Sequence, residues 1–170
     1  MKFEEIVSGG QLGADMAAMV FAKKHHIPCK INAFKDFNPI HGNFPEDVEI
    51  VNVCDTGNYI SDLRERTKFN IQNSGFTLIL LDIDIMFTKG SKLTHNLCLK
   101  FKKDVLYIDI DTCVGSFHDK TWSSGNTRVI RCIEDAKKIM ESKNIPILNV
   151  AGQRELDEMS AVMFMEKLLL

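Results

Sequence analysis

The stretch Ser8-Gly9-Gly10-Gln11-Leu12-Gly13-Ala14-Asp15 carries the residue types that hold an anion. Glycine tolerates positive φ and lets a ligand come close to the backbone. A helix beginning directly after such a turn points free N–H groups and a partial positive charge at whatever sits there. The spacing is not G-x-G-x-x-G, because the glycines fall at 9, 10 and 13, and it is not a P-loop, because no Lys-Ser/Thr follows. A tight turn with no ligand is the competing interpretation. Asp15 either accepts a bond from a ligand or simply places a favourable charge at the start of the helix.

Other polar residues fall at spacings that chemistry could use. Thr67 and Asn70, three apart, share a helix face and either line a pocket or satisfy a neighbouring loop. Arg64 and Arg66, two apart, point different ways, so spacing lets only one of them serve a given site. His95 and Cys98 could face one metal, but two ligands do not close a zinc site, and Cys98 in an apolar helix suits packing. His25 and His26 are neighbours about 100° apart around a helix, which suits capping better than metal binding. No Gly-x-Ser-x-Gly or Cys–His nucleophile pattern is present.

These residues need elements to position them. An apolar stretch from Glu4 to Ser8 reads as a buried strand, and Ala14 to Lys24 as a helix with Ala17, Ala18, Phe21 and Ala22 turned to the sheet. Lys23, Lys24 and the two histidines close that helix, and Pro28 ends it. Cys29–Ala33 suggests a second strand, residues 34–57 are irregular, and the alternation at Val48, Ile50–Val51 and Val53 suggests an edge strand. Asn58–Asn73 reads as a helix with Ile60, Leu63, Thr67 and Ile71 on its inward face. The continuous apolar run Phe76–Asp82 predicts a central parallel strand buried on both sides.

A loop at Thr88–Thr94 then leads into a helix reaching Lys102, followed by a strand at Asp104–Ile110 and a long loop, Asp111–Arg128. Ile133–Lys143 predicts a helix, Ile145–Val150 a strand with Pro146 at its start, Ala151–Glu155 a loop, and Leu156–Leu168 a last helix. The methionine-rich side of that helix suggests core or a subunit interface. Alternating strands and helices imply one α/β domain spanning 1–170, with a mostly parallel sheet and helices on both faces.

Composition narrows the function classes. A chain of 170 residues with 45% hydrophobic and 26% charged residues has the make-up of a globular domain with a sizeable core. The net charge of −2 gives no field to hold a nucleic-acid backbone. Five scattered cysteines without C-x-x-C spacing suggest reduced thiols and a cytoplasmic setting. No apolar run approaches the roughly 18 residues of a membrane helix, so no membrane partner is expected.

Three blocks together resemble a known family: Ser8-Gly9-Gly10-Gln11-x-Gly13-Ala14-Asp15, Arg66-Thr67-x-x-Asn70-Ile71-x-x-Ser74, and Asn149-Val150-Ala151-Gly152-x-Arg154-Glu155. Their order and spacing resemble the molybdenum-carrier family, a Rossmann-like group related to lysine-decarboxylase-like and circularly permuted YpsA-type SLOG proteins. Gly90, Ser91 and Thr94 resemble that family's small-residue loop. The resemblance implies a Rossmann-like sheet, a homo-oligomer (dimer or tetramer), and a pocket beyond the strand ends for an anionic ligand, with molybdenum cofactor (molybdopterin) as the family's proposed cargo. It also implies that N–H groups at Gly9–Gly13 and Gly90–Ser91 take phosphate or oxo oxygens. Arg66 and Arg154 would add charge, Thr67, Asn70 and Thr94 neutral hydrogen bonds, and Gln11, Asp15 and Gly152 would complete the site.

Two departures matter. The family's Arg-x-x-Glu-Asp-Gly run has no arginine in the corresponding Phe34–Pro45 here. The related phosphoribohydrolases use a loop glutamate, and Thr88–Asn96 contains no carboxylate. The expected function is therefore non-catalytic binding of a phosphate-bearing or oxyanionic small molecule. A nucleotide-binding SLOG sensor or a phosphoribohydrolase-like enzyme is the alternative.

Overall fold

Phe76–Leu81, buried at every position, forms a strand near the middle of one sheet. The computed structural model describes residues 1–34, 48–82, 88–120 and 127–170. In chain order its elements are β1 (Glu5–Ser8), α1 (Ala14–Lys24), β2 (Cys29–Phe34), β3 (Glu49–Cys54), α2 (Tyr59–Asn73), β4 (Phe76–Leu81) and α3 (Lys89–Lys100). They continue with β5 (Asp104–Asp109), β6 (Gly115–His118), β7 (Thr127–Ile130), α4 (Ile133–Glu141), β8 (Ile147–Gly152) and α5 (Glu158–Leu169).

The sheet runs β3-β2-β1-β8-β4-β5-β6-β7. All pairs from β3 through to β5 are parallel, and β6 and β7 are antiparallel. Side chains alternate across a strand, so β4 sends Leu78 and Leu80 to one face and Ile79 and Leu81 to the other. The first set packs with α1, α4 and α5; the second meets Ile71 of α2 and Leu97 and Cys98 of α3. The α/β fold with a mostly parallel sheet and helices on both faces is the architecture expected, and β3 takes the edge position. β8 lies in the centre, between β1 and β4. Pro146 precedes it, and its carbonyl accepts from the N–H groups of Glu4 (2.8 Å) and Glu5 (3.2 Å), anchoring β1.

Several expectations are corrected. The presumed loop from Asp111 contains β6 and leads into β7, two short antiparallel strands at the sheet's edge. A hairpin forms because Asp109 Oδ1 accepts from Thr112 N and Oγ1, both at 2.6 Å, turning the chain back. Gly115 then fits where a Cβ would lie 2.1 Å from the Tyr107 carbonyl oxygen. The expected loop at Thr88–Thr94 is instead the start of α3: Thr88 caps the helix by accepting from Ser91 N, and Gly90, Ser91 and Thr94 are helical. Strand β8 runs on through Ala151 and Gly152, which were expected in a loop.

Helix α2 turns only part of its expected apolar face inward: Ile71 is buried and Leu63 and Thr67 are half-buried, but the face is completed by polar residues and loses Ile60. Ile60 is 76% exposed, and the buried positions are Asp62, Arg66, Asn70 and Ile71. Met159 and Met163 on α5 likewise point outward, while Val162, Phe164, Met165, Leu168 and Leu169 fill the core. The missing arginine expected between Phe34 and Pro45 concerns residues mostly outside those described, as does the loop around Trp122. No helix among the described residues is long and apolar enough to cross a membrane.

Candidate functional site

The carboxyl ends of β1, β8 and β4 meet where strand order switches direction, the place where open α/β sheets hold ligands. The turn after β1 is shaped by positive φ at Gly10 (72°) and Gly13 (67°). Its donors are largely used within the protein. Gly10 N–H donates to Ser8 Oγ (3.2 Å), Gln11 N–H to Asp15 Oδ2 (3.1 Å), and Ala14 N–H to the Gln153 carbonyl (3.2 Å). The expectation that this turn's backbone N–H groups take a ligand's oxygens is corrected to that extent, because an internal carboxylate already occupies part of the nest.

The glycines serve close packing as well. A Cβ on Gly13 would lie 2.2 Å from the Gln153 carbonyl oxygen, and one on Gly152 would lie 2.3 Å from that of Leu80 and 2.7 Å from Ala14 Cβ. A Cβ on Gly9 would stand 2.7 Å from both Arg66 Nη2 and Asp15 Oδ2. These positions admit only glycine because side chains or backbone of the same chain fill the space.

Arg66 reaches from α2 across the turn and donates from Nη1 to the Gly9 carbonyl at 2.8 Å. It is only 5% exposed, and its Nε has no hydrogen-bond partner. Asp15 is 7% exposed. Burial pushes its carboxyl above the usual range, opposed by Arg66, by the Gln11 N–H and by Arg154. Burial lowers Arg66, opposed chiefly by Asp15. The two groups thus offset each other's charge beneath the turn.

Above them opens a cavity of about 400 Å³. Of the residues expected at the site, Gly9, Gln11, Asp15, Arg66, Thr67, Asn70, Gly90, Thr94, Gly152 and Arg154 line it. Gly10, Gly13 and Ser91 do not: the glycines shape the turn, and Ser91 is buried at the start of α3, 3.1 Å from Thr88 Oγ1. Arg64 also lines the cavity, contrary to the expectation that it and Arg66 point apart. One approaches from the floor and the other from the exposed mouth, so both converge on one space.

Lys89 and Arg154 stand exposed at the mouth with Arg64, and Arg154 Nε donates to Gln11 Oε1 at 3.1 Å. Thr67 and Thr94 spend their hydroxyl protons on their own helices, at Leu63 O (2.8 Å) and Gly90 O (3.1 Å), so they offer acceptors to the cavity. Asn70 Oδ1 accepts from Asn32 Nδ2 at 2.8 Å, which fixes its amide.

Sequence reasoning missed three contributors. Asn149, 2% exposed, lines the cavity; its Nδ2 donates to Thr77 Oγ1 at 3.2 Å and its Oδ1 has no partner. Gln153, the unassigned residue inside the Gly152–Arg154 block, latches the end of β4 by accepting from Asp82 N (2.6 Å) and donating to Asp82 O (3.3 Å). Asp62 ties α2 to the preceding turn by accepting from Thr56 N at 2.7 Å. A buried polar stripe at i, i+4, i+8 on α2 (Asp62, Arg66, Asn70) was the available signal.

The other candidate centres have structural roles. His95 packs edge-on to Tyr107 with ring centroids 5.3 Å apart and lies 4.9 Å from the His118 ring. Burial pushes the Cys98 thiol up to about 12, as packing requires. His25 Nε2 meets Glu166 Oε1 at 3.0 Å, tying the end of α1 to α5. No group of three or more potential metal ligands occurs among the described residues.

The model of the circularly permutated YpsA SLOG family matches residues 6–169. Among solved structures, the chain is similar to one named "Putative molybdenum carrier protein", from Syntrophus aciditrophicus SB. The two share 31% identity over 99% of this chain and 96% of that one, with a TM-score of 0.72. No curated protein matches. A glycine turn beneath a cation-rimmed cavity, set in this sheet order, thus comes with a family match over almost the full length: the chain belongs to the circularly permutated YpsA SLOG family.

Proposed function

We propose that the cavity binds, without turning it over, a small molecule bearing a phosphate or another oxyanion. The observation that carries this reading is the charge of the lining. Arg64, Lys89 and Arg154 stand at the mouth of a space whose one carboxylate among the described lining residues, Asp15, is already offset by buried Arg66, although the whole chain has a net charge of −2. Arginines at the mouth suit bidentate contact with phosphate oxygens. About 400 Å³ suits a small organic ligand better than a bare ion.

Molybdenum cofactor is the specific ligand we propose, prompted by the name of the similar structure. The residues fit a pterin phosphate. Arg154, Arg64 and Lys89 would take its phosphate, and the hydroxyl oxygens of Thr67 and Thr94, whose protons are spent on their own helices, would accept from a ring amino group. A nucleotide presents the same two features, which makes it the second reading. Calorimetric titration with a molybdopterin preparation, AMP and inorganic phosphate tests this directly. Heat with molybdopterin well beyond that with AMP supports the carrier reading, and the reverse order supports a nucleotide. Release of free base from AMP during the titration would overturn non-catalytic binding.

A further inference from the structure

The geometry assigns Asp15 a role as the residue that makes this cavity prefer an anion still carrying a proton, such as hydrogen phosphate, over anions fully ionised at neutral pH, such as sulfate and molybdate. This rests on the anion reading above and specifies its ligand class.

A ligand reaching the floor does not meet an empty nest of N–H groups. Gly10 and Gln11 N–H are bonded to Ser8 Oγ and Asp15 Oδ2, and Ala14 N–H to the Gln153 carbonyl. It meets instead the Asp15 carboxylate, which lines the cavity and is itself 7% exposed. Arg66 lends little further attraction, since Asp15 sits beside it and its Nη1 is engaged by the Gly9 carbonyl. The mouth and the floor are linked through one residue: Gln11 accepts from Arg154 with its side chain and donates to Asp15 with its backbone. Arg154 and Asp15 line the same cavity, and the charge of Arg154 is felt at Asp15, so an anion seated on Arg154 would be felt by the carboxylate as well.

Two anionic oxygens in a shared, poorly solvated site repel, and one of them must be protonated for both to stay. Hydrogen phosphate brings that proton and forms a short O–H···O⁻ bond to Asp15. A phosphate monoester does so below its second pKa of about 6. Sulfate and molybdate carry no proton at neutral pH. On this argument the cavity rejects free molybdate and takes a phosphate monoester in its singly ionised form, so that monoester binding weakens as pH rises above about 6.

The test is isothermal titration of the full chain at neutral pH with potassium phosphate, sulfate and molybdate, repeated on Asp15→Asn, whose amide donates where the carboxylate only accepts. Wild type should favour phosphate over both other anions by at least tenfold. Asp15→Asn, checked for folding by circular dichroism, should bring the three within a few-fold by gaining sulfate and molybdate. A second measurement needs only wild type. Affinity for methyl phosphate should fall at least tenfold between pH 6 and pH 8 as the ester loses its proton, while inorganic phosphate, which keeps one, falls far less. The charged groups that act on Asp15 are Arg66 from α2 and Arg154 from the segment after β8.

Equal wild-type affinity for phosphate, sulfate and molybdate overturns the role of Asp15 and leaves the anion reading standing. Selectivity that survives in Asp15→Asn, or methyl phosphate binding that ignores pH, does the same. No binding of any anion to folded wild type overturns both.

Discussion

The floor and the mouth of the cavity use the same residue type in opposite circumstances. Arg66 lies under the glycine turn, nearly solvent-free, bonded to the Gly9 carbonyl and beside Asp15. Arg154 stands exposed at the mouth with a bond to the Gln11 side chain. A buried guanidinium is committed to the fold, because removing it strands the carboxylate it neutralises. An exposed one is nearly free of structural duty, because water replaces what it loses. The glycines divide the same way. Gly13 and Gly152 exist for contact with neighbouring backbone, whereas Gly90 has open space around it on the first turn of α3.

Substitutions can break this comparison. Arg66→Met should cost about 3–5 kcal/mol in urea unfolding, and adding Asp15→Asn should return part of that, since no buried charge is then left unpaired. If the single change cost under about 1 kcal/mol, the floor would be no more structural than the mouth. Gly13→Ala should cost about 3 kcal/mol, combining a strained backbone with a clash against the Gln153 carbonyl. At the mouth, Arg154→Ala should leave unfolding within about 0.5 kcal/mol of wild type. Calorimetry of the same variant should show anion affinity reduced about tenfold, equivalent to about 1.4 kcal/mol. Loss of stability without loss of binding would move Arg154 to the structural side. Gly90→Ala should be mildly stabilising, by about 0.5 kcal/mol, because a Cβ finds room in a helix there.

A control away from the cavity concerns pH. Burial lowers both His95 and His118, and for His95 the neighbouring His118 adds to it. Their folded forms therefore refuse protons that the unfolded chain accepts below about 6.5. Stability present above that pH should be lost as pH falls through it, seen as a lower urea midpoint at pH 5.5 than at 7.5. The drop should shrink in His95→Gln/His118→Gln while anion binding at pH 7.5 is unaltered.

Much of the fold was legible because burial on both faces leaves an unbroken apolar run, as in Phe76–Leu81, and because Ala17, Ala18, Phe21 and Ala22 repeat at helical spacing. β6 and β7 were not, since Gly-Ser-Phe-His and Thr-Arg-Val-Ile are too short to show a period, and β6 owes its pairing with β5 to the turn at Asp109. The site was legible as a set of residues and less so as a set of roles. Glycine-rich turns signal close approach, but a sequence does not say whether a ligand or the chain itself approaches. Arg66 illustrates the same gap: it was favoured for a ligand, and it first serves Gly9 and Asp15. Asn149 stood in the third block without a role, because a polar residue in an apolar strand shows its meaning only once the strand is seen to run beside the cavity.

The central position of β8 has a consequence for synthesis. β1 and β4 do not pair with each other; both pair with a strand that follows β7 in the chain. As the chain leaves the ribosome, the half-sheet of β1–β3 and the half-sheet beginning at β4 must wait, each with an open edge, until residues 147–152 emerge and insert between them. Such late, long-range closure is slow and exposes strand edges to wrong partners. A premature stop between β7 and β8 leaves two unjoined half-sheets, and with them an unfinished cavity, since Asn149 and Gly152 belong to the strand that joins them.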